Sequence, residues 1–399
     1  MTRFPKGWIG GPQVCCPCVD PGTLDSLFLR LSLAQSARAW RRYFIRSFLL
    51  PFARTGSLRY NQFFLLTLVP FRYLHMVMGK GVIKSMFNFR RRKTAYICLS
   101  DFNPAARDLL ARYFDLTVRP PGPRPDSGEL MQLVKDYDLL VIGQREKITK
   151  EVYDCATKVR IIGTLSIGLD HILPALLLDK NFIVINTPEA NVVSVAEHAL
   201  GLAFALSKVL LDGNRASFSH EGRSGMKGTP HDLSGKVLGI IGAGRIGTRM
   251  LKYGSSLGMS VLCHTQHPKA HSALSRIGVT FVNLETLLVS SDIVSVHVPL
   301  ADDTRYMLNA ETIQKMKEGA ILINTSRADI LNIRDLSEAL RAGRIGGAGL
   351  DDVNDQDIDL LSNMANVIVT PHVAGVTVEA ISRMDTELAE RIVSHVRNH

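Results

Sequence analysis

The stretch that most limits what this chain can fold into is residues 235–268, GKVLGIIGAGRIGTRMLKYGSSLGMSVLCHTQHP. Val237 to Ile241 is an apolar, β-branched run, Gly242, Gly244 and Gly247 then set out G-x-G-x-x-G, and Arg245 to Leu257 reads as a helix. That order places backbone amides and a helix N-terminus where a dinucleotide pyrophosphate can approach. The first two glycines carry no side chain to obstruct it, and the third lets the helix pack on the strand. A loop of this kind requires a parallel α/β sheet around it.

The flanking sequence supplies such sheets. From Thr94, the short apolar runs TAYICLS, YDLLVIG, VRIIGTLS and FIVINT are separated by helical stretches, PAARDLLARYF and SGELMQLVKDY among them. This is the alternation of parallel βα units. NVVSVAEHALGLAFALSKVLLDGNR, residues 191–215, reads as one long helix linking two lobes. Beyond the glycine loop, AILINTSR ends at Arg327, GGAGLD at Asp351 and NVIVTPH at His372. Each lies at the carboxyl end of an expected parallel strand, where open α/β sheets bind ligands. An arginine, a carboxylate and a histidine beside a dinucleotide suit a substrate anion, a hydride and a proton.

Charge separates the first quarter of the chain from the rest. The net charge is +10, yet residues 1–93 hold sixteen Lys or Arg against only Asp20 and Asp25, which leaves 31 basic and 35 acidic residues beyond them. A basic segment on an acidic body is an appendage with its own role, and nucleic acid is not an expected partner. Leu33, Trp40, Phe44, Phe48 and Leu49 share one face of a helix beside arginines, which predicts contact with a membrane surface or a protein. Phe63 to Phe71 is apolar, but Pro70 and Arg72 stop it well short of the roughly 20 residues of a spanning helix. Cys15, Cys16 and Cys18 in CCPC have only His75 in the segment as a fourth ligand, so no metal site is expected there. Six cysteines in 399 residues form no disulfide framework, and with no secretory signal the expected location is the cytoplasm.

From about residue 94 the sequence resembles the D-isomer-specific 2-hydroxyacid dehydrogenases. NTPEANVVSVAEHALGL, LSGKVLGIIGAGRIG, SDIVSVHVPLADDTRYML, GAILINTSRADIL and NVIVTPHVAG carry the resemblance, in that order. It implies a Rossmann dinucleotide-binding domain (191–375) inserted into a smaller flavodoxin-like substrate domain (94–190). Residues 376–399 would return as a helix to the substrate domain, and 1–93 form a basic N-terminal extension. It further implies an NAD(P)-dependent oxidoreductase that moves hydride between a nicotinamide cofactor and a D-2-hydroxy acid or 2-keto acid, and a homodimer. By the same resemblance Arg327 grips the substrate carboxylate and His372 is the acid/base. Ser166, Ile167 and Gly168 form the substrate loop, with Ser166 in place of the family's glycine and expected to narrow the pocket. Gly242, Gly244, Arg245, Ile246, Gly247, Thr265, His297, Pro299, Thr304, Thr325 and Asp351 would line the cofactor. The alternative is a dinucleotide-sensing scaffold similar to the family's corepressors.

Two departures from the family pattern stand out. A glutamate that hydrogen-bonds the histidine normally sits five residues after the strand-end aspartate, and here that position is Gln356. The loop is shorter than the common form, which also brings Asp355 and Asp357 into range as partners of His372. These acids do not form a calcium loop, since the sixth and twelfth positions counted from Asp355 are Leu360 and Asn366. The second departure is Thr265, where NAD enzymes commonly carry an acid for the ribose hydroxyls. His264, His267 and Lys269 would attract a 2′-phosphate, while Gln266 stands where NADP members often have arginine. The balance leans to NADP over NAD.

Overall fold

The computed structural model describes residues 92–398. The basic segment, with its CCPC cluster and its amphipathic stretch, lies outside the described residues.

The first lobe is a five-stranded parallel sheet in the order β2-β1-β3-β4-β5, made of β1 (Lys93–Ile97), β2 (Phe114–Val118), β3 (Leu139–Ile142), β4 (Ile161–Thr164) and β5 (Ile183–Ile185). This is the flavodoxin-like order. β3 and β4 are buried at every residue, as expected of central parallel strands covered on both faces. The flanking helices α1 (Pro104–Ala111) and α2 (Ser127–Asp136) start where sequence chemistry starts them. Asn103 accepts from the Ala105 amide and a proline fills the first turn of α1, while Asp126 accepts from the Glu129 amide at α2. The sequence reading runs α1 on to Phe114, but Phe114 opens β2, an edge strand whose side chains alternate between inside and outside.

The long connecting helix is in fact two. α3 (Val192–Ser207) and α4 (Leu210–Phe218) meet at a bend of 54°, with Val209 in the left-handed region at φ 53°. A valine there is costly without a compensating fit, and no glycine marks the break in the sequence.

The second lobe is a seven-stranded parallel sheet in the order β12-β11-β10-β9-β6-β7-β8. Its strands are β6 (Val237–Ile241), β7 (Ser260–His264), β8 (Val279–Phe281), β9 (Ile293–Val296), β10 (Ala320–Asn324), β11 (Ile345–Leu350) and β12 (Val367–Val369). The order reverses between β6 and β9, which opens a crevice at their carboxyl ends. α5 (Arg245–Ser256) follows the glycine loop.

The last helix, α6 (Val378–Asn398), returns to the first lobe. Its Leu388, Ala389, Ile392 and Val393 belong to the same buried cluster as β1, β3 and β4. Gly163 on β4 makes this possible, since a Cβ there would lie 3.0 Å from Ile392 Cδ1. The chain therefore crosses between lobes twice, near 186–191 and 373–377. Arg383 ties the crossings together by donating to Ala190 O (2.7 Å) and Ser194 Oγ (3.3 Å), while Ser194 Oγ lies 3.0 Å from Thr377 Oγ1.

One polar group of α6 is buried among these contacts. Asp385 is 2 % exposed, its Oδ2 accepts from the Asn103 amide at 2.7 Å, and its Oδ1 has no partner. Burial pushes this carboxyl up from 3.8 to about 6, outweighing the Asn103 amide and Arg107. A carboxyl that holds its proton more tightly when folded contributes most at low pH, and that contribution is lost as pH rises from about 4 through 6. The Tm of Asp385→Asn relative to wild type should therefore rise between pH 5 and pH 8. Equal differences at the two pH values would show that Asp385 does not titrate as described.

Candidate active site

The glycine loop has the shape its sequence requires. Gly242 is left-handed at φ 99°, and a Cβ on it would come within 2.6 Å of His297 O. A Cβ on Gly247 would lie 1.9 Å from Gly242 O, so α5 could not otherwise sit so close to the turn. Gly244, in contrast, faces open space.

Two orphaned polar atoms lie just past β9 and β10. His297 Nδ1 and Thr325 Oγ1 are buried without a hydrogen-bond partner. His297 Nε2 lies 2.8 Å from Ser295 Oγ, and burial depresses the imidazole to about 3, so the ring is neutral. Unsatisfied polar groups at the carboxyl ends of β9 and β10, beside a turn left open at Gly244, fit a nicotinamide dinucleotide. Ile246 is half-buried behind the loop, and Arg245 forms an ion pair with Glu189. Thr265 directly follows β7, where its Oγ1 accepts from the His267 amide at 3.5 Å, and Gln266 donates to Asp303 at 2.9 Å. Thr304 takes an internal role: its hydroxyl donates to Pro299 O (2.7 Å) and accepts from the Ala301 amide (2.8 Å), bracing the loop between β9 and β10.

Beyond β10, Asn324 shapes the turn that presents Arg327. Its Nδ2 donates to Arg327 O at 2.9 Å and its Oδ1 accepts from the Ser326 amide at 3.0 Å. The guanidinium then crosses to the first lobe, where Nε and Nη2 donate to Asp170 Oδ2 at 2.9 and 2.7 Å. Nη1 donates to Ser326 O at 2.8 Å.

Beyond β12, His372 is itself left-handed, at φ 56°. Its amide donates to Asp351 O at 2.7 Å, while the Asp351 carboxylate accepts from Thr370 Oγ1 (2.5 Å) and from the amides of Val373 (2.9 Å) and Ala374 (2.8 Å). His198 of α3 approaches from behind, with Nε2 3.0 Å from Thr370 Oγ1 and 3.6 Å from Asp351 Oδ1. Both Asp351 oxygens are thus engaged in holding the histidine turn.

The carboxylate beside the imidazole is Asp352. Its Oδ1 lies 3.5 Å from His372 Nδ1, and its Oδ2 accepts from the Ala328 amide at 3.3 Å. This corrects the assignment to residues 355–357. Asp355 and Gln356 are exposed, Asp357 begins the short helix Ile358–Leu361, and none of the three makes a hydrogen bond or ion pair with His372 among the described residues. The sequence signal was the doublet Asp351-Asp352 at a strand end, where one side chain turns inward and the next outward. Burial alone would push the Asp352 carboxyl up, but His372, the Ala328 amide and Arg327 outweigh it and hold it below the usual range.

The first lobe contributes two further residues that sequence reasoning missed. Gln144, at the carboxyl end of β3, places its amide 3.5 Å from His372 Nε2. Glu146 braces that loop from within, accepting from the Gly143 amide at 2.6 Å with its side chain fully buried. Asp170, at the end of the substrate loop, is the second. A carboxylate in a loop meant to receive an anion needs a cation of its own, and Arg327 is that cation. Ser166 does not narrow the pocket as expected. It is 4 % exposed and turns inward, donating to Gly168 O at 2.7 Å. The amides of Ile167 and Gly168 have no acceptor among the described residues.

Comparison with known proteins decides the family. Residues 200–374 match the family described as D-isomer specific 2-hydroxyacid dehydrogenase, NAD binding domain. A hydroxypyruvate reductase of Thermotoga maritima is 36% identical over 276 residues, covering 67% of this chain and 87% of that protein. A glyoxylate reductase of Korarchaeum cryptofilum is 32% identical over 296 residues, covering 72% and 88%. The structure of a D-lactate dehydrogenase from Aquifex aeolicus, complexed with NAD and lactic acid, superposes with a TM-score of 0.67 at 27% identity, covering 76% and 96%. The chain belongs to the D-isomer-specific 2-hydroxyacid dehydrogenases. It is an oxidoreductase that uses a nicotinamide dinucleotide and interconverts a D-2-hydroxy acid and a 2-keto acid. The scaffold alternative draws no support from these relatives.

In such an enzyme the contact between Asp352 and His372 has a measurable effect. A carboxylate next to an imidazole favours its charged form, and a carboxamide does not. Reduction consumes a proton, so Asp352→Asn should lower kcat for reduction about tenfold, roughly 1.4 kcal/mol, while leaving dinucleotide affinity within twofold of wild type. An unchanged kcat would exclude Asp352 as the partner of His372.

Proposed function

We propose that this member of the family reduces a small 2-keto acid, with Arg327 binding the carboxylate and His372 donating the proton. One observation carries the reading. The Asp352 carboxylate joins two strand ends, touching the amide that follows Arg327 and the Nδ1 of His372, so the anion grip and the proton donor are fixed in one frame. Nδ1 faces Asp352, so Nε2 is the nitrogen directed toward Gln144 and the first lobe.

Bound nicotinamide dinucleotide supplies the hydride. The chain's own groups do the rest. Arg327 and the free amides of Ile167 and Gly168 fix the carboxylate, and two parallel N–H bonds orient it as well as bind it. His372 Nε2 gives its proton to the keto oxygen as C2 accepts the hydride, and the neutral imidazole that remains is reprotonated from solvent. The names of the relatives, hydroxypyruvate, glyoxylate and D-lactate enzymes, favour a short substrate side chain.

We infer that NADPH is accepted and preferred, because no carboxylate stands at the end of β7 to repel a 2′-phosphate and His267 and Lys269 are exposed beside Thr265. Asp303 is the opposing influence, held by Gln266. Assays of glyoxylate, hydroxypyruvate and pyruvate with NADH and NADPH test both parts. Wild type should reduce at least one acid, and Thr265→Asp should raise the NADH-to-NADPH ratio of kcat/KM about tenfold or more, roughly 1.4 kcal/mol. No turnover of any acid would refute the reading, and an unmoved ratio would remove Thr265 from the cofactor site.

A homodimer is the assembly we propose, formed through α4. Leu210, Leu211 and Phe218 are 55%, 53% and 80% exposed on that helix, a cluster of large apolar side chains that water disfavours. Leu211→Asp with Phe218→Asp should shift the protein from dimer to monomer in light scattering. A dimer that survives both changes would place the interface elsewhere.

A further inference from the structure

The substrate loop is organised around a hydrogen-bond relay whose direction is forced. Ser166 Oγ donates to Gly168 O, so it can only accept from Thr164 Oγ1, 3.0 Å away. Thr164 Oγ1 in turn accepts from His171 Nε2 at 2.8 Å, which fixes the proton of that ring on Nε2. Thr164, Ser166 and His171 are all buried, and burial lowers the His171 pKa, so the ring is neutral. The relay runs His171, Thr164, Ser166, Gly168, and it encloses the segment that carries Asp170.

Gly168 and Asp170 together form a seat for the Arg327 guanidinium. A Cβ on Gly168 would lie 2.1 Å from Nη2, so no other residue lets the arginine come so close. Asp170 takes Nε–H and one Nη2–H, and Ser326 O takes one Nη1–H. Of the five N–H groups of a guanidinium, the two left over are one on each terminal nitrogen. The residues of this seat come from the opposite lobe, so the arginine acquires it only when the lobes lie together.

We propose that Asp170 is a positioning residue for catalysis: it holds Arg327 by one edge and so presents the two remaining N–H groups to the substrate carboxylate. Ser166, through its bond to Gly168 O and its contact with Thr164, stiffens the loop that carries the seat. The substrate does not displace Asp170. It binds beside it, to donors whose orientation Asp170 has already fixed, which lowers the ordering cost of binding.

This inference rests on the keto-acid reading above, and the experiment separates the two. Wild type, Asp170→Asn and Asp170→Ala are compared in NADPH affinity by fluorescence titration and in KM and kcat with the best keto acid of the panel. The expected result is a KM about tenfold higher in Asp170→Ala and an intermediate rise in Asp170→Asn, whose neutral oxygen still accepts from Nε–H. NADPH affinity should stay within twofold of wild type in both. An unchanged KM in Asp170→Ala with wild-type NADPH affinity overturns the proposal, as does a lower KM, which would make Asp170 a competitor of the substrate carboxylate. If Asp170→Ala fails to bind NADPH, Asp170→Asn decides alone, on the same criterion of a raised KM. Failure of the keto-acid reading shows instead as an inactive wild type.

Discussion

The site depends on one buried carboxylate. Asp351 holds His372 in a backbone conformation that L residues seldom adopt, by engaging the residues on both sides of it: the Thr370 hydroxyl before and the Val373 and Ala374 amides after. A non-glycine residue at positive φ costs of order 1–3 kcal/mol and persists only where its surroundings over-determine it. Here the strain turns the imidazole away from the line of β12, toward Asp352 and the first lobe. His198 reaches the same hydroxyl from α3, so the turn is anchored to the longest helix of the cofactor lobe as well as to its sheet.

The contacts between lobes repeat one theme. Three groups that the cofactor lobe offers to a ligand meet a counterpart in the other lobe or its connection: Arg327 with Asp170, Arg245 with Glu189, His372 with Gln144. Half-exposed ion pairs of this sort contribute little to stability. Their importance is geometric, because they reach across from one lobe to the other or to its connection and so fix the direction in which the ligand-binding side chains point. The sheets supply rigid strand ends, and the crossings near Ala190 and Thr377, bracketed by Arg383, are where the angle between lobes can change.

Much of this was legible in the sequence, for identifiable reasons. β6 runs from Val237 to Ile241 as its apolar run ended at a glycine, and Arg327 and His372 lie just past β10 and β12 because NTSR and TPH end apolar runs. Element boundaries without punctuation were not legible. Val209 breaks a helix with no glycine or proline to mark the place, and β2 is an edge strand half-exposed to water, too weakly apolar to separate from the helix before it. The identity of the carboxylate beside His372 was hidden for a different reason. Counting along a loop locates a residue in the chain, whereas Asp352 owes its position to the turn just past β11, where Asp351 is buried and its neighbour reaches the Ala328 amide and His372 Nδ1. Gln144 and Asp170 face partners more than 150 residues away, 228 and 157 respectively, and no local pattern announces such a meeting.

The return of α6 to the first lobe bears on how the molecule is made. Residues 93–185 are translated before the inserted lobe, yet their hydrophobic cluster is completed by Leu388, Ala389, Ile392 and Val393, which are translated after it. Domains generally fold as units during synthesis, starting from the N-terminus. In this chain the sequence of events is inverted: the inserted lobe holds all its own strands once β12 has emerged, while the lobe translated before it waits, with apolar surface uncovered, until α6 follows. That interval is when the nascent chain has most need of a chaperone.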